Sequence, residues 1–138
     1  MDAREIIKPG MRAERLLVVP PERTVGHFVP HMPMVYATPM MILEMEMTSG
    51  DAINPVLPPG WVTVGTEVNV RHLAASPVGA TIRTVAEVIE VERRVIRFSV
   101  EAYHGDVKIG DGRHGRHGGV VAVAVFTGEG RGVGQREA

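Results

Sequence analysis

Thr38 and Pro39 open a run of Met40, Met41, Ile42, Leu43, Met45 and Met47 that is broken only by Glu44 and Glu46. Proline is tolerated in the first turn of a helix, where its missing N–H has no partner to lose. A threonine hydroxyl before it can accept an amide of that turn. The spacing therefore predicts a helix with Thr38 as N-cap. It ends near Asn54-Pro55, because a residue before proline avoids the α region. Apolar side chains fall on every side of this helix, and such a helix is a buried one. A carboxylate in that setting is costly unless it is partnered. A greasy central helix with two acids in it marks a candidate site, and the remaining chain must supply the surface that covers it.

A chain of 138 residues suits one domain with one core. The formal net charge of −1 provides no field to attract nucleic acid or a membrane surface. Cysteine is absent, which removes disulfides, thiolate metal sites and a cysteine nucleophile. No apolar run approaches the ~20 residues that span a bilayer. Residues 1–5 lack the basic-then-apolar order of a secretory leader. The expectation is a cytoplasmic protein with no nucleic-acid or membrane partner. Six of the eight methionines lie between Met32 and Met47. Methionine fills irregular gaps and adapts to varied ligands.

Residues 1–10 read as a loose lead-in, 12–19 as a first strand and 24–28 as a short extended piece. Pro30, His31, Met32, Pro33 and Met34 cannot form regular structure, so they predict an ordered loop before the helix. After it, residues 62–72 alternate. Val62, Val64, Thr66, Val68, Val70 and His72 share one face; Thr63, Gly65, Glu67, Asn69 and Arg71 share the other. Residues 80–92 form a strand of less clear alternation, with room for a bulge. Residues 95–104 alternate again, with Ile96, Phe98, Val100 and Ala102 inward. Residues 107–126 form a long last strand, bent at its glycines. Residues 128–138 are glycine-rich and charged and predict a disordered tail, leaving 1–127 as one domain.

Short connections between consecutive strands imply antiparallel neighbours. One apolar helix before such strands packs into the sheet's concave face, an α+β layout of the hotdog kind. A single small sheet leaves open edges, so a homodimer is expected.

Several stretches together resemble the hotdog-fold thioesterases typified by fluoroacetyl-CoA thioesterase. They are Ala37-Thr38 with Met45-Glu46, Gly65-Thr66 leading into Val70-Arg71-His72-Leu73-Ala74-Ala75-Ser76-Pro77-Val78-Gly79, and Ile109-Gly110-Asp111-Gly112-Arg113-His114-Gly115-Arg116. The segment from Pro20 to His27 belongs to the same pattern, and the likeness runs over residues 11–125. The resemblance implies a catalytic set of Thr38, Glu46 and His72, an acyl-CoA substrate, and pockets at a dimer interface. Gly65 takes the place of the family's glycine ahead of the histidine.

Thioester hydrolysis needs an attacking group, donors for the developing oxyanion and a managed proton. Glu46 can act as base for water or attack directly to give a mixed anhydride. His72 provides acid–base chemistry or orients the attacking group. Thr38 can position water or the thioester, or act as nucleophile. Eight residues along a helix rise about 12 Å and turn about 80°, so Thr38 and Glu46 of one chain cannot meet. One site is therefore expected to draw on two subunits. The helix N-terminus supplies oxyanion donors, with Pro39 excluded and the amides of Met40 and Met41 remaining. Gly65 permits close approach, and Glu44 is read as structural or solvent-facing. Around Gly112-Arg113-His114-Gly115-Arg116-His117-Gly118-Gly119 three readings stand: a bent solvated strand, a phosphate contact for CoA, and a metal site. A His-x-x-His pair on a strand faces opposite ways, so no metal is assigned. Arg113, Arg116 and Arg71 are the candidate CoA-phosphate ligands, and no cofactor is expected beyond the CoA of the substrate. Two alternatives remain at this stage. One is a hydratase-type hotdog enzyme, and the other is a non-catalytic acyl-CoA or small-ligand binder.

Overall fold

The computed structural model describes residues 2–120. The elements are β1 (Arg12–Val18), α1 (Val25–Phe28), α2 (Thr38–Ile53), β2 (Trp61–His72), β3 (Thr81–Val91), β4 (Val95–His104) and β5 (Val107–Val120). All five strands join one antiparallel sheet in the order β1-β3-β4-β5-β2, and α2 packs across one face. This is the layout that the resemblance implies. The continuation of the last strand to 126 and the tail at 128–138 lie outside the described residues.

The strands do not pair in simple succession. β2 pairs with β5, and β1 pairs with β3, so β2 and β1 are the two edges. The connection 73–80 is too long for a hairpin and carries the chain over the start of α2. There Tyr36 donates its amide to the Ser76 carbonyl, and Val35 bridges Pro77. The lead-in is also more than a loose end. Ala3 and Ile7 are buried in the core, and the Ala3 amide donates to the Arg93 carbonyl. Residues 25–28 close one helical turn, with the Val29 amide on the Val25 carbonyl, rather than the expected extended piece.

β4 follows its alternation: Ile96, Phe98, Val100 and Ala102 are all fully buried. β2 does not. The register against β5 shifts between Gly65 and Glu67, leaving Thr66 as an extra residue. Such a bulge swaps the faces on its two sides. The residues opposite Gly118, Arg116, His114, Gly112 and Gly110 are Thr63, Gly65, Val68, Val70 and His72. These form the helix-facing side. Val62 and Val64 therefore belong to the outer face, which corrects the uniform alternation expected for 62–72. β3 carries the expected bulge, between Val88 and Glu90.

Helix α2 is buried on one face, not all round. Met41, Glu44, Met45, Thr48, Ser49 and Ile53 face the sheet at helical spacing, while Leu43 is 38% exposed. Burying side chains such as Met41, Met45 and Ile53 stabilises the fold by about 2 kcal/mol each. The Thr48 and Ser49 hydroxyls donate to the Glu44 and Met45 carbonyls, so neither is buried unpaired. Gly110 permits the close approach of helix to sheet, because a Cβ there would lie 2.5 Å from the Met41 sulfur.

Candidate functional site

The N-cap of α2 is Ala37, and no side chain caps the helix. Thr38 is instead its first residue, and its hydroxyl is spent elsewhere: Thr38 Oγ1 lies 2.7 Å from His72 Nδ1. His72 is the last residue of β2 and faces the helix, as its place on the alternating strand implies. The other ring nitrogen, Nε2, is buried and has no hydrogen-bond partner among the described residues. An unpaired buried nitrogen is costly and marks a place where a further group belongs. Burial holds the His72 pKa below the usual histidine value, with the Ala74 backbone pulling the other way. The imidazole is therefore neutral near pH 7 and able to take a proton. Tyr36, fully buried, meets the ring edge-on at 6.4 Å between centroids. Val25, Val35, Tyr36, Thr38, His72 and Leu73 line a cleft of about 290 Å³. Its walls are apolar apart from the Thr38–His72 pair and the Tyr36 hydroxyl, which donates to the Met40 carbonyl.

Glu46 lies two turns further along α2, in a second cleft of about 290 Å³ bounded by Arg15, Gly50, Asp51, Asn54 and Arg116. The structure thus brings Thr38 and His72 together and leaves Glu46 apart, as the rise of eight helical residues requires. Gly65 lies beneath Glu46. A Cβ on it would stand 3.0 Å from Glu46 Oε1 and 2.9 Å from His114 Cε1, so its bare backbone lets both groups approach the strand. Glu44, the other acid of the helix, is buried and paired with Arg23 at 2.8 Å. That pairing resolves the cost of burying it, and among the described residues Glu46 is the half-buried acid of the helix without such a pair.

The remaining sequence candidates fall into three groups. The amides of Met40 and Met41 both donate to the Ala37 carbonyl, at 2.9 and 3.1 Å. They are committed within the first turn and are not free oxyanion donors, and the Met41 side chain is in the core. Arg116 faces the helix, where its guanidinium donates to Thr63 and to the Glu46 carbonyl. Arg116, named above as a CoA-phosphate candidate, is thus half-buried beside the Glu46 cleft rather than out on the other face of the sheet. Arg71 and Arg113 lie on the opposite, outer face. There they border a polar groove of about 470 Å³ with Lys108 and Asp111, and Arg71 is paired with Asp111 at 3.1 Å. His114 and His117 fall on opposite faces of β5, His114 inward opposite Val68 and His117 outward opposite Val64. Tyr36 beside His72 and Arg23 beside Glu44 were not among the sequence candidates, and His114 was named there only as part of the 112–119 stretch. A signal existed for the last: His114 and Arg116 are two apart on a strand and must share a face.

Residues 19–121 match the family described as FlK, fluoroacetyl-CoA-specific thioesterase. The fluoroacetyl-CoA thioesterase of Streptantibioticus cattleyicolor is 40% identical over 120 residues, covering 80% of this chain and 86% of that protein. A variant of the fluoroacetyl-CoA-specific thioesterase FlK, solved with fluoroacetate and CoA, superposes with a TM-score of 0.76 at 37% identity. That match covers 83% of this chain and 96% of the other. A hot-dog-like protein from Thermanaerovibrio acidaminovorans shares the fold, with a TM-score of 0.78 at 22% identity over 86% of this chain and 87% of its own.

Proposed function

Because the chain belongs to the fluoroacetyl-CoA-specific thioesterase family, we propose that it hydrolyses a small or medium acyl-CoA thioester at sites shared between two copies. The observation that carries the reading is the 2.7 Å contact of Thr38 with a histidine whose second nitrogen is buried and open. In this mechanism the neutral His72 draws the proton of the Thr38 hydroxyl, or of a water held by it, as attack on the thioester carbonyl begins. The acyl group lies along Val25, Val35 and Leu73. The carbonyl–sulfur bond breaks, the CoA thiolate leaves with the proton that His72 took up, and where the Thr38 hydroxyl attacked, water then opens the Thr38 ester, so that free acid and thiol result.

Glu46 completes the set from a second chain. Its carboxylate acts as base toward water, or attacks to give a mixed anhydride that water then opens. The exposed edge of β2 and the uncovered side of α2 near Leu43 are the surfaces on which a second copy packs. The CoA phosphates pass to the outer face, where Arg113, Lys108 and Arg71 supply positive charge.

The test is thiol release from a panel of acyl-CoA esters, with Glu46→Gln and His72→Ala alongside. Release by the unaltered protein that both variants lose supports the proposal. Water addition to an enoyl-CoA without thiol release would assign a hydratase, and CoA-ester binding without turnover would assign a binding protein.

A further inference from the structure

Tyr36 is fully buried beside the reacting pair and takes no part in the reaction steps. We propose that Tyr36 is a positioning residue for the Thr38–His72 pair, tying the first turn of α2 to the segment that follows β2 and backing the imidazole with its ring. For its kinetics this role rests on the thioesterase reading; its structural consequence at His72 does not.

Residues 35–37 run between two other stretches of chain and are bonded to both. On one side the Val25 amide donates to the Val35 carbonyl at 2.9 Å, and the Ala37 amide to the Arg23 carbonyl at 3.0 Å. On the other the Tyr36 amide donates to the Ser76 carbonyl at 2.8 Å, and Val35 bridges Pro77. The backbone of Tyr36 is therefore fixed against the segment that leaves β2 at His72. Its side chain reaches α2, where the hydroxyl donates to the Met40 carbonyl at 3.3 Å, two residues beyond Thr38. One residue thus holds both elements whose ends must meet for Thr38 Oγ1 to lie 2.7 Å from His72 Nδ1. The ring meets the imidazole edge-on, with centroids 6.4 Å apart and planes at 84°, an arrangement that aromatic rings favour. Thr38 itself is exposed, so its geometry depends on what stands behind it.

Burial, then the charge of Glu44, pushes the Tyr36 pKa up, with Arg23 pulling it down. The hydroxyl therefore keeps its proton and remains a donor. Burial is also the first cause of the lowered His72 pKa, opposed by the Ala74 backbone, and no charged side chain contributes among the described residues. The groups facing the imidazole are the Thr38 hydroxyl from α2 and the Tyr36 ring from the stretch before it. Removing the ring admits water, which raises the His72 pKa toward the ordinary histidine value.

The test uses the full chain with Tyr36→Phe and Tyr36→Leu. Tyr36→Leu is expected to lower kcat about 30-fold with KM within about threefold, and Tyr36→Phe to stay within about threefold of the unaltered protein. The acid limb of kcat/KM should move up toward about pH 6.5 in Tyr36→Leu and hold its place in Tyr36→Phe. A raised KM with unchanged kcat in Tyr36→Leu would overturn the proposal and make Tyr36 a wall of the acyl cleft. Equal losses in both variants would overturn it too, because they would put the hydroxyl itself in the chemistry. Magnetic resonance titration of His72 decides the matter independently of turnover. Its pKa is expected to rise in Tyr36→Leu and to hold in Tyr36→Phe; an unmoved His72 in a folded Tyr36→Leu protein would sink the positioning role even if no thiol were released. Tyr36→Phe keeps the ring packed and so carries a test that survives if Tyr36→Leu does not fold. Amides of residues 41–44 are expected to exchange about threefold faster in it, with the rest of α2 unaltered. Uniform acceleration, or none, would refute the tie to the helix.

Discussion

His114 ties the stability of the fold to acidity. Its folded pKa of about 4 lies below the ordinary 6.5 of an unfolded chain. Its contribution to stability is therefore full above pH 6.5 and is lost as pH falls toward 4. The loss is on the order of 3 kcal/mol by linkage. His114→Gln should flatten the fall in melting temperature between pH 6.5 and 4, relative to the unaltered protein, in a calorimetric series. The same sign applies to His72, whose depressed pKa keeps it a base below the usual histidine range. The acid limb of kcat/KM is expected below pH 6.5, and a limb above 6.5 would contradict a buried neutral His72. Arg23→Ala strands Glu44 in the core. Breaking such a buried pair from one side costs about 3 kcal/mol, which a denaturant titration would read as a lower midpoint. Glu44→Gln, which removes the charge itself, should cost less.

At the scale of elements, β2 is decided by one extra residue. Thr66 lets Thr63 and Gly65 face the helix on one side of the bulge, and Val68, Val70 and His72 on the other. Deleting Thr66 would turn one half of the strand over, burying Val62 and Val64 in place of Thr63 and Gly65. The Arg116 hydrogen bonds to Thr63 should be lost while the Thr38–His72 contact persists, and amide exchange along α2 would separate the two. Gly112 is a second fixed point. Its φ is +155°, and a Cβ there would stand 2.2 Å from the Asn69 carbonyl oxygen. Gly112→Ala forces the β2–β5 pair apart and should cost about 3 kcal/mol or more, or roughly 10 °C in melting temperature. β4 was legible residue by residue because its alternation is unbroken. β2 was not, because a bulge has no compositional mark when the extra residue is a threonine among valines. The helix was legible in extent. Its cap was misassigned because the Thr38 hydroxyl prefers a histidine 34 residues away to the amides of its own turn.

Across the whole molecule, the sequence put Glu46 on the helix and His72 at the end of a strand, where the structure has them, and helix geometry kept Thr38 from Glu46. Long-range pairings were invisible to it. Arg23 with Glu44 and Arg116 with Thr63 depend on strand order, and short connections alone did not reveal that β2 lies beside β5. The proposal of shared sites makes a sharp demand on mixtures. Thr38→Ala and Glu46→Gln proteins, each inactive alone, should regain about a quarter of normal activity when mixed and allowed to exchange. Random pairing makes half of the dimers mixed, and each mixed dimer has one intact site of two. No recovery after verified subunit exchange would count against sites drawn from two chains.

The distance along α2 between Thr38 and Glu46 also bears on dosage. If sites are shared between two copies as proposed, a single chain has no turnover of its own, however well it folds. Output per molecule then rises with abundance, steeply near the dissociation constant of the pair and flat above it. Dilution would silence such an enzyme without unfolding it, and modest changes in expression near that threshold would act as a switch on thioester breakdown.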